Sequence, residues 1–330
     1  MAEIQKHLSN SDLVSIQAPG YKDAHTLMRL YKSEGKKVVV DYDDYSFDLS
    51  PGNARYCELG TRETEELGPD GKPAYKWRDM ENGFDLKSNQ AKYEAFKMCV
   101  KDADLVTTTT EYLAEKFRTL NERVVVCPNS VDFNLWKPIP GPDVLKDEVR
   151  IGWFGGDSHY VDLKGFKTLL PRVIKRFPQV KIVLQAPPVP QWLEFFKEIP
   201  KERIEWHNWA DLRYYPLFLA SRHFDIGLCP LEDNEFNKCK SSIKFFEFTA
   251  IGATTIAQNM HPYSQNIIHG DTGFLASTED EWMDCIAELV ENTVLRKHMA
   301  KNAYDYVYEN FNIKKNCRIW EQAYMKCLNS

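Results

Sequence analysis

What most restricts the folding of this chain is a rhythm in its sequence. Short apolar runs rich in β-branched residues alternate with segments of helical spacing, stop at a proline-rich break, and start again. DLVSIQA (12–18), KKVVVDYDD (36–44), ADLVTTTT (103–110) and RVVVCPN (123–129) read as buried strands ended by turn or cap residues. Between them, AHTLMRLYKSEG and EYLAEKFRTLN carry helical spacing and closing Gly or Asn stops. Such alternation builds mostly parallel sheets. At KPIPGPDVLKDE (137–148) three prolines and a glycine precede a charged run, which marks a linker. The rhythm then resumes with VRIGWFGG, VKIVLQAP, RIEWHNW, FDIGLCPL and GATTIAQ as strands, and the end of the chain is helical by period and charge pattern.

A chain of 330 residues exceeds the usual single-domain size. The expectation is therefore an α/β protein of two Rossmann-like domains with mostly parallel sheets, 1–136 and 149–310, joined by the 137–148 linker. A C-terminal helix, 311–330, is free to pack back on the first domain. Ligands of such sheets sit at the carboxyl ends of the strands, so the two domains are expected to face each other across a cleft. One insertion interrupts the rhythm. Residues 45–90 contain a hairpin at about 54–78, RYCELGTRETEEL and PAYKWRD around GPDGK, which is either surface decoration or a substrate-facing loop leaving the end of a central strand.

Composition removes several classes. No run approaches the roughly 20 apolar residues of a transmembrane segment, and MAEIQKHLSNSDL has no signal-peptide core. Eight cysteines without a CxxC pair fit reduced thiols, so a cytoplasmic protein is expected. A net charge of −6 weighs against a general nucleic-acid binder.

ADLVTTTTEYLAEKF followed by VVVCPNSVDFNLWKP, IGWFGG opening the second half, FDIGLCPL, and EFTAIGATTIA with a later IIHGDTGFLAS occur in an order and spacing that resembles the retaining family-4-type glycosyltransferases of the GT-B fold. The resemblance covers roughly residues 100–310. It implies transfer of a sugar from a nucleotide-sugar donor, held mainly by the C-terminal domain, to an acceptor held mainly by the N-terminal domain. It further implies a metal-independent reaction with no cofactor beyond the co-substrate, in which the departing diphosphate helps to deprotonate the acceptor hydroxyl. Glu247 matches the family glutamate whose carboxylate accepts hydrogen bonds from the ribose hydroxyls. The family's second glutamate, eight positions upstream, is replaced by Cys239. Lys164–Gly165 resembles the family's Lys-Gly pair, without the usual arginine before it.

The residues themselves suggest more. Lys240 and Lys244, with Ser241 and Ser242 at an expected helix start, suit a diphosphate, because helix N–H groups and an ammonium both favour developing negative charge; the alternative is a solvated pair of lysines. Gly155 and Gly156 after a strand allow close backbone approach to phosphate. His159 could bond a phosphate or sugar oxygen, or be a satisfied loop histidine. Trp209 could stack on a base, or pack in the core. Asp41, Asp43 and Asp44 end a strand where Mg²⁺ or Mn²⁺ could bind, and acceptor hydroxyls are the preferred partners over a divalent metal. Asn129 lies at the hinge, and Trp77 in the YKWR run suits stacking on an acceptor. The acceptor stays open: a glycan, a lipid-linked sugar, a small metabolite, a protein or a modified nucleic-acid base. Two other readings remain, a silent sugar- or nucleotide-binding module and a GT-B epimerase or phosphorylase.

Overall fold

The computed structural model describes residues 10–53, 55–67, 71–141, 147–156, 159–186 and 189–330. Part of the GPDGK turn (68–70), part of the linker (142–146) and two residues of the glycine stretch (157–158) lie outside the described residues. The chain divides into two compact units. Unit 1 comprises the residues up to Pro128 together with Asn234–Ser241 and Asn316–Ser330; unit 2 comprises Asn129–Asp233 and Ser242–Lys315. These bounds differ from those read at the proline break. Residues 129–148 join the second unit, and the eight residues Asn234–Ser241 join the first.

Unit 1 holds β1 (Leu13–Gln17), β2 (Lys37–Tyr42), β3 (Thr64–Leu67), β4 (Pro73–Trp77), β5 (Leu105–Thr108) and β6 (Val124–Val126). Four of these form a parallel sheet in the order β1-β2-β5-β6. Successive side chains of a strand point to opposite faces, and both faces here are covered, which is why the strands read as unbroken apolar runs. Val38, Val40, Tyr42 and Val106 pack with Met28, Phe96, Cys99, Leu113 and Phe117 from three helices. On the other face Val39, Leu105 and Cys127 meet Ala323 and Cys327 of the C-terminal helix Ile313–Leu328.

The insertion differs from its sequence reading in one respect. β3 and β4 are antiparallel as expected, but RYCEL forms a short helix, Tyr56–Leu59. Tyr56 is stacked 5.8 Å from Trp77 and 6.0 Å from Phe84. Tertiary packing of one aromatic thus overrides a strand pattern that was only moderately alternating. The helix Leu86–Asp102, not apparent in the sequence, follows, with the Asp85 side chain accepting from the Ser88 N–H at 2.8 Å as its cap.

Unit 2 holds β7 (Val149–Phe154), β8 (Val180–Gln185), β9 (Ile204–His207), β10 (Ile226–Cys229), β11 (Thr254–Gln258) and β12 (Phe274–Ala276). They form a six-stranded sheet in the order β12-β11-β10-β7-β8-β9, parallel throughout. From β7 the chain winds outward through β8 and β9 and then crosses to β10 on the other side. The order therefore reverses between β7 and β10, and in a doubly wound sheet the ligand crevice opens at that reversal. Gly227 lets the helix Ile243–Ala250 lie directly on β10, since a Cβ there would stand 2.4 Å from the Phe248 ring. No described helix is long and apolar enough to cross a membrane.

Candidate functional site

At the switch point of unit 2, β7 ends at Phe154 and the backbone continues through Gly155 and Gly156. A Cβ on Gly155 would stand 2.7 Å from the Trp153 ring and 3.2 Å from Lys244 Nζ. The glycine thus leaves room for Lys244, on the helix Ile243–Ala250, to lie close to the strand end. The ammonium also lies 5.2 Å from the Trp153 ring centroid and 5.8 Å from that of Phe154, an arrangement that favours a cation. Because Trp153 is 2% exposed and cannot yield, Gly155→Ala is expected to destabilise the protein by about 1–3 kcal/mol, the usual result of overpacking. A chemical-denaturation midpoint unchanged within error in that variant would contradict the packing described.

Glu247 lies three residues beyond Lys244, so the two side chains share one face of the helix. Burial pushes the Glu247 carboxyl up to about 8, and Lys244 pulls it back only in part. Tyr215 and Tyr263, whose phenols burial raises, both feel its charge. A carboxyl group in this position keeps its proton near neutrality until hydrogen-bond donors arrive, and a vicinal diol would supply two.

Around this pair the loops are braced. His159 Nδ1 is 2.7 Å from Asp162 Oδ2, and the buried Asp162 accepts the Glu232 N–H on its other oxygen at 2.8 Å. One carboxylate therefore fastens the loop after β7 to the chain after β10. Asp162 went unnoticed in the sequence, although its i,i+3 spacing from His159 was visible there. Trp209 is 51% exposed, which removes core packing as its role. Its ring edge lies 3.5 Å from the position a Gly156 Cβ would take. Ser242 is absorbed by the fold, donating to the Pro262 carbonyl at 3.1 Å and accepting from Asn266 Nδ2 at 2.9 Å. Ser241 and Asn129 are half-buried in units 1 and 2 respectively, and Lys164 is exposed.

The two lysines expected to act together fall in different units. Lys240 belongs to unit 1, with Nζ 4.8 Å from the Phe236 ring centroid. There it acts on Asp44, whose carboxyl burial pushes up to about 6 against the pull of Lys240 and Arg55. The segment carrying Lys240 is anchored by Glu235, which accepts from Tyr112 Oη at 2.9 Å and from Lys116 Nζ at 2.8 Å. Those bonds hold the Glu235 carboxyl down to about 2. Cys239, between the two, is fully buried in the unit 1 core, and burial lifts its thiol to about 12.

The DYDD aspartates do not converge. Asp41 accepts from Thr107 Oγ1 at 2.7 Å and its charge is felt by Cys127 and Tyr324, on the C-terminal-helix side of the sheet. Burial raises its carboxyl also. Asp43 is exposed, and its carbonyl accepts from Thr109 Oγ1. Asp44 instead lines a cavity at the carboxyl ends of β1 and β2. Trp77 is occupied in packing, with its indole N–H donating to the Pro51 carbonyl at 2.8 Å.

No family model matches the chain. TuaH of Bacillus subtilis, whose name is that of a glycosyltransferase of teichuronic acid biosynthesis, is 23% identical over 199 residues, which is 54% of this chain and 49% of TuaH. The chain thus spans about half the length of that curated relative. Among solved structures, HepE of Anabaena in complex with UDP and glucose matches with a TM-score of 0.66 at 16% identity, covering 97% of this chain and 80% of HepE. Sucrose-phosphate synthase of Thermosynechococcus elongatus matches at 0.64 and 13% identity, covering 98% and 76%. At these identities the likeness shows the fold: two Rossmann-like units, the architecture of the GT-B glycosyltransferases.

Proposed function

We propose that this chain is a glycosyltransferase that moves a sugar from a nucleoside diphosphate-sugar, with UDP as the nucleotide, to an acceptor hydroxyl. The observation that carries this reading is the grouping of Gly155, Lys244 and Glu247 at the β7–β10 reversal of unit 2. HepE, with the same fold, has been solved with UDP and with UDP-glucose, which supports UDP as the nucleotide. In this reading Glu247 accepts the two ribose hydroxyls, the Gly155–Gly156 backbone comes close to the diphosphate, and Lys244 stabilises the charge that develops as the glycosidic bond breaks. Trp209 stands where the base could stack. The acceptor hydroxyl is oriented by Asp44 rather than Asp43, because Asp44 lines a cavity in unit 1 while Asp43 is exposed.

The family resemblance supports retention: with the diphosphate itself taking the acceptor proton, no second carboxylate is needed on the opposite face of the sugar. Charge neutralisation by Lys244 replaces a metal, so turnover is expected to persist in excess EDTA. Loss of turnover in EDTA, restored by Mn²⁺ or Mg²⁺, would transfer that role to a cation.

The deciding experiment incubates the chain with UDP-sugars without acceptor and follows UDP. Slow release of UDP that disappears in Glu247→Ala is expected, and tight UDP binding with no release for any sugar would leave a silent binding module. One observation favours that second reading: Cys239 replaces the family's sugar-contacting glutamate and is committed to the core of unit 1.

A further inference from the structure

Unit 1 contains a cavity of about 140 Å³ walled by Ala18, Tyr42, Asp44, Phe47, Arg55 and Lys92. That is space for roughly four to five waters by volume, enough for one compact polar group with part of what carries it. Its floor is aromatic, with Tyr42, Phe47 and Phe96 packed on one another. Its charges are unbalanced. Lys92 Nζ donates to the Glu58 carbonyl at 2.8 Å and to Asn89 Oδ1 at 3.2 Å, both neutral oxygens. Neither partner carries a counter-charge and, among the described residues, these two bonds use two of its three donors. Arg55 is exposed at the rim, and among the described residues neither cation forms a salt bridge with a carboxylate.

One carboxyl group among the described lining residues, Asp44, faces all of this positive charge: it feels Lys240 most strongly and Arg55 less, so three cations share one carboxyl group. The rim also carries backbone strain. Ala18 holds φ +43, a left-handed conformation that a residue before proline normally avoids, and such strain collects at binding sites. The helix Lys22–Ser33 begins beside the cavity at Tyr21, a residue with no side-chain cap, which adds a weak preference for negative charge.

We propose that this cavity binds an anionic group of the acceptor, a phosphate monoester or a carboxylate, between Arg55 and Lys92, while Asp44 takes a hydroxyl of the same molecule. This rests on the reading of unit 1 as the acceptor side of a glycosyltransferase, and it narrows the acceptor from any hydroxyl compound to an acidic one. A neutral sugar would bring no counter-charge to Arg55 and Lys92. An anion gains charge-assisted hydrogen bonds from both, and the planar guanidinium fits either a phosphate or a carboxylate in bidentate fashion.

The test measures direct binding of glucose, glucose 6-phosphate and glucuronic acid by calorimetry, with UDP present at saturation so that the nucleotide site is occupied. At least one anionic sugar is expected to bind tenfold to a hundredfold tighter than glucose, the size of losing one or two hydrogen bonds to a charged group. The two anionic arms separate a phosphate site from a carboxylate site. Arg55→Gln, at an exposed position that should leave folding intact, is expected to remove most of the preference, and Arg55→Gln with Lys92→Gln all of it. Equal affinity for the three sugars, or a preference that survives the double substitution, overturns the proposal. The outcome is independent of turnover: a chain that releases no UDP yet selects the anionic sugar keeps this site and loses the transferase reading.

Discussion

Lys244→Met is expected to lower kcat by about a hundred- to a thousandfold while leaving UDP affinity much closer to wild type. If Lys244 stabilises charge that appears on the diphosphate only as the bond breaks, its contribution is larger in the transition state than in the ground state, and its loss falls on kcat. Removing one preorganised charge-stabilising donor costs about 2.7–4 kcal/mol. Methionine retains the apolar stem that lies against Trp153 and Phe154, so the substitution removes the charge with little change in packing. A second signature accompanies the first. Lys244 is the cation that pulls the Glu247 carboxyl back from the effect of burial, so in the variant Glu247 should titrate at higher pH still. Lys240→Met is the comparison, because Lys240 acts on Asp44 in unit 1. It should raise acceptor KM and leave acceptor-independent UDP release much less affected. Near wild-type kcat in Lys244→Met would sink the assignment.

UDP binding at pH 7 is expected to release about one proton from Glu247, and none from that site in Glu247→Gln. In the ligand-free chain the carboxyl titrates at about 8, so at pH 7 it is mostly protonated. Two ribose hydroxyls donating to it favour the carboxylate and drive the proton off. Calorimetry in buffers of different ionisation enthalpy counts that proton directly. Glu247→Ala should weaken UDP-sugar binding by about tenfold to a hundredfold, because two hydrogen bonds to a charged group are lost and water recovers part. The same group sets a stability trend. Its folded pKa is raised above its ordinary value of 4.5. The stability it contributes is therefore complete below about 4.5 and is lost as pH rises through about 8. Ligand-free Glu247→Gln should be less sensitive to pH across that window, and UDP should protect the wild-type chain more strongly towards its upper end. An identical proton count in wild type and Glu247→Gln would remove Glu247 from the ribose.

The strands were the most legible part of the sequence. KVVVDY, LVTT and IGLC are buried or half-buried along their whole length, and a strand covered on both sides reads as a near-continuous run of apolar and β-branched residues, so the pattern is nearly independent of its surroundings. The positions of the residues proposed to hold the donor could be read for a related reason. Gly155, Lys244 and Glu247 follow strands or sit on the helix laid over one, and a parallel sheet brings all such positions to one edge. The helix Leu86–Asp102 is not legible in the sequence because it follows a polar insertion without an apolar stripe to announce it, and only five of its residues are buried. RYCEL reads locally as a strand because Tyr56 finds its partners, Trp77 and Phe84, more than twenty residues away.

By itself the sequence determined the two α/β halves, the parallel strands, and the glycines and charges that follow them, because backbone hydrogen bonding and the side-chain period of two act over a few residues. Tertiary structure alone decided which of those charges meet. Lys240 and Lys244 are four residues apart, yet one acts on Asp44 in the first unit and the other on Glu247 in the second. Three aspartates within four residues likewise part company, Asp41 to Thr107, Asp43 to solvent and Asp44 to a cavity beside Arg55 and Lys92. Neither separation has a local cause. Strand alternation sends Asp41 to one face of the sheet, and the anchoring of Glu235 by Tyr112 and Lys116 holds Lys240 in unit 1. Both depend on burial and on partners more than 60 residues distant, and burial likewise raises the carboxyls of Glu247 and Asp44 above their ordinary values.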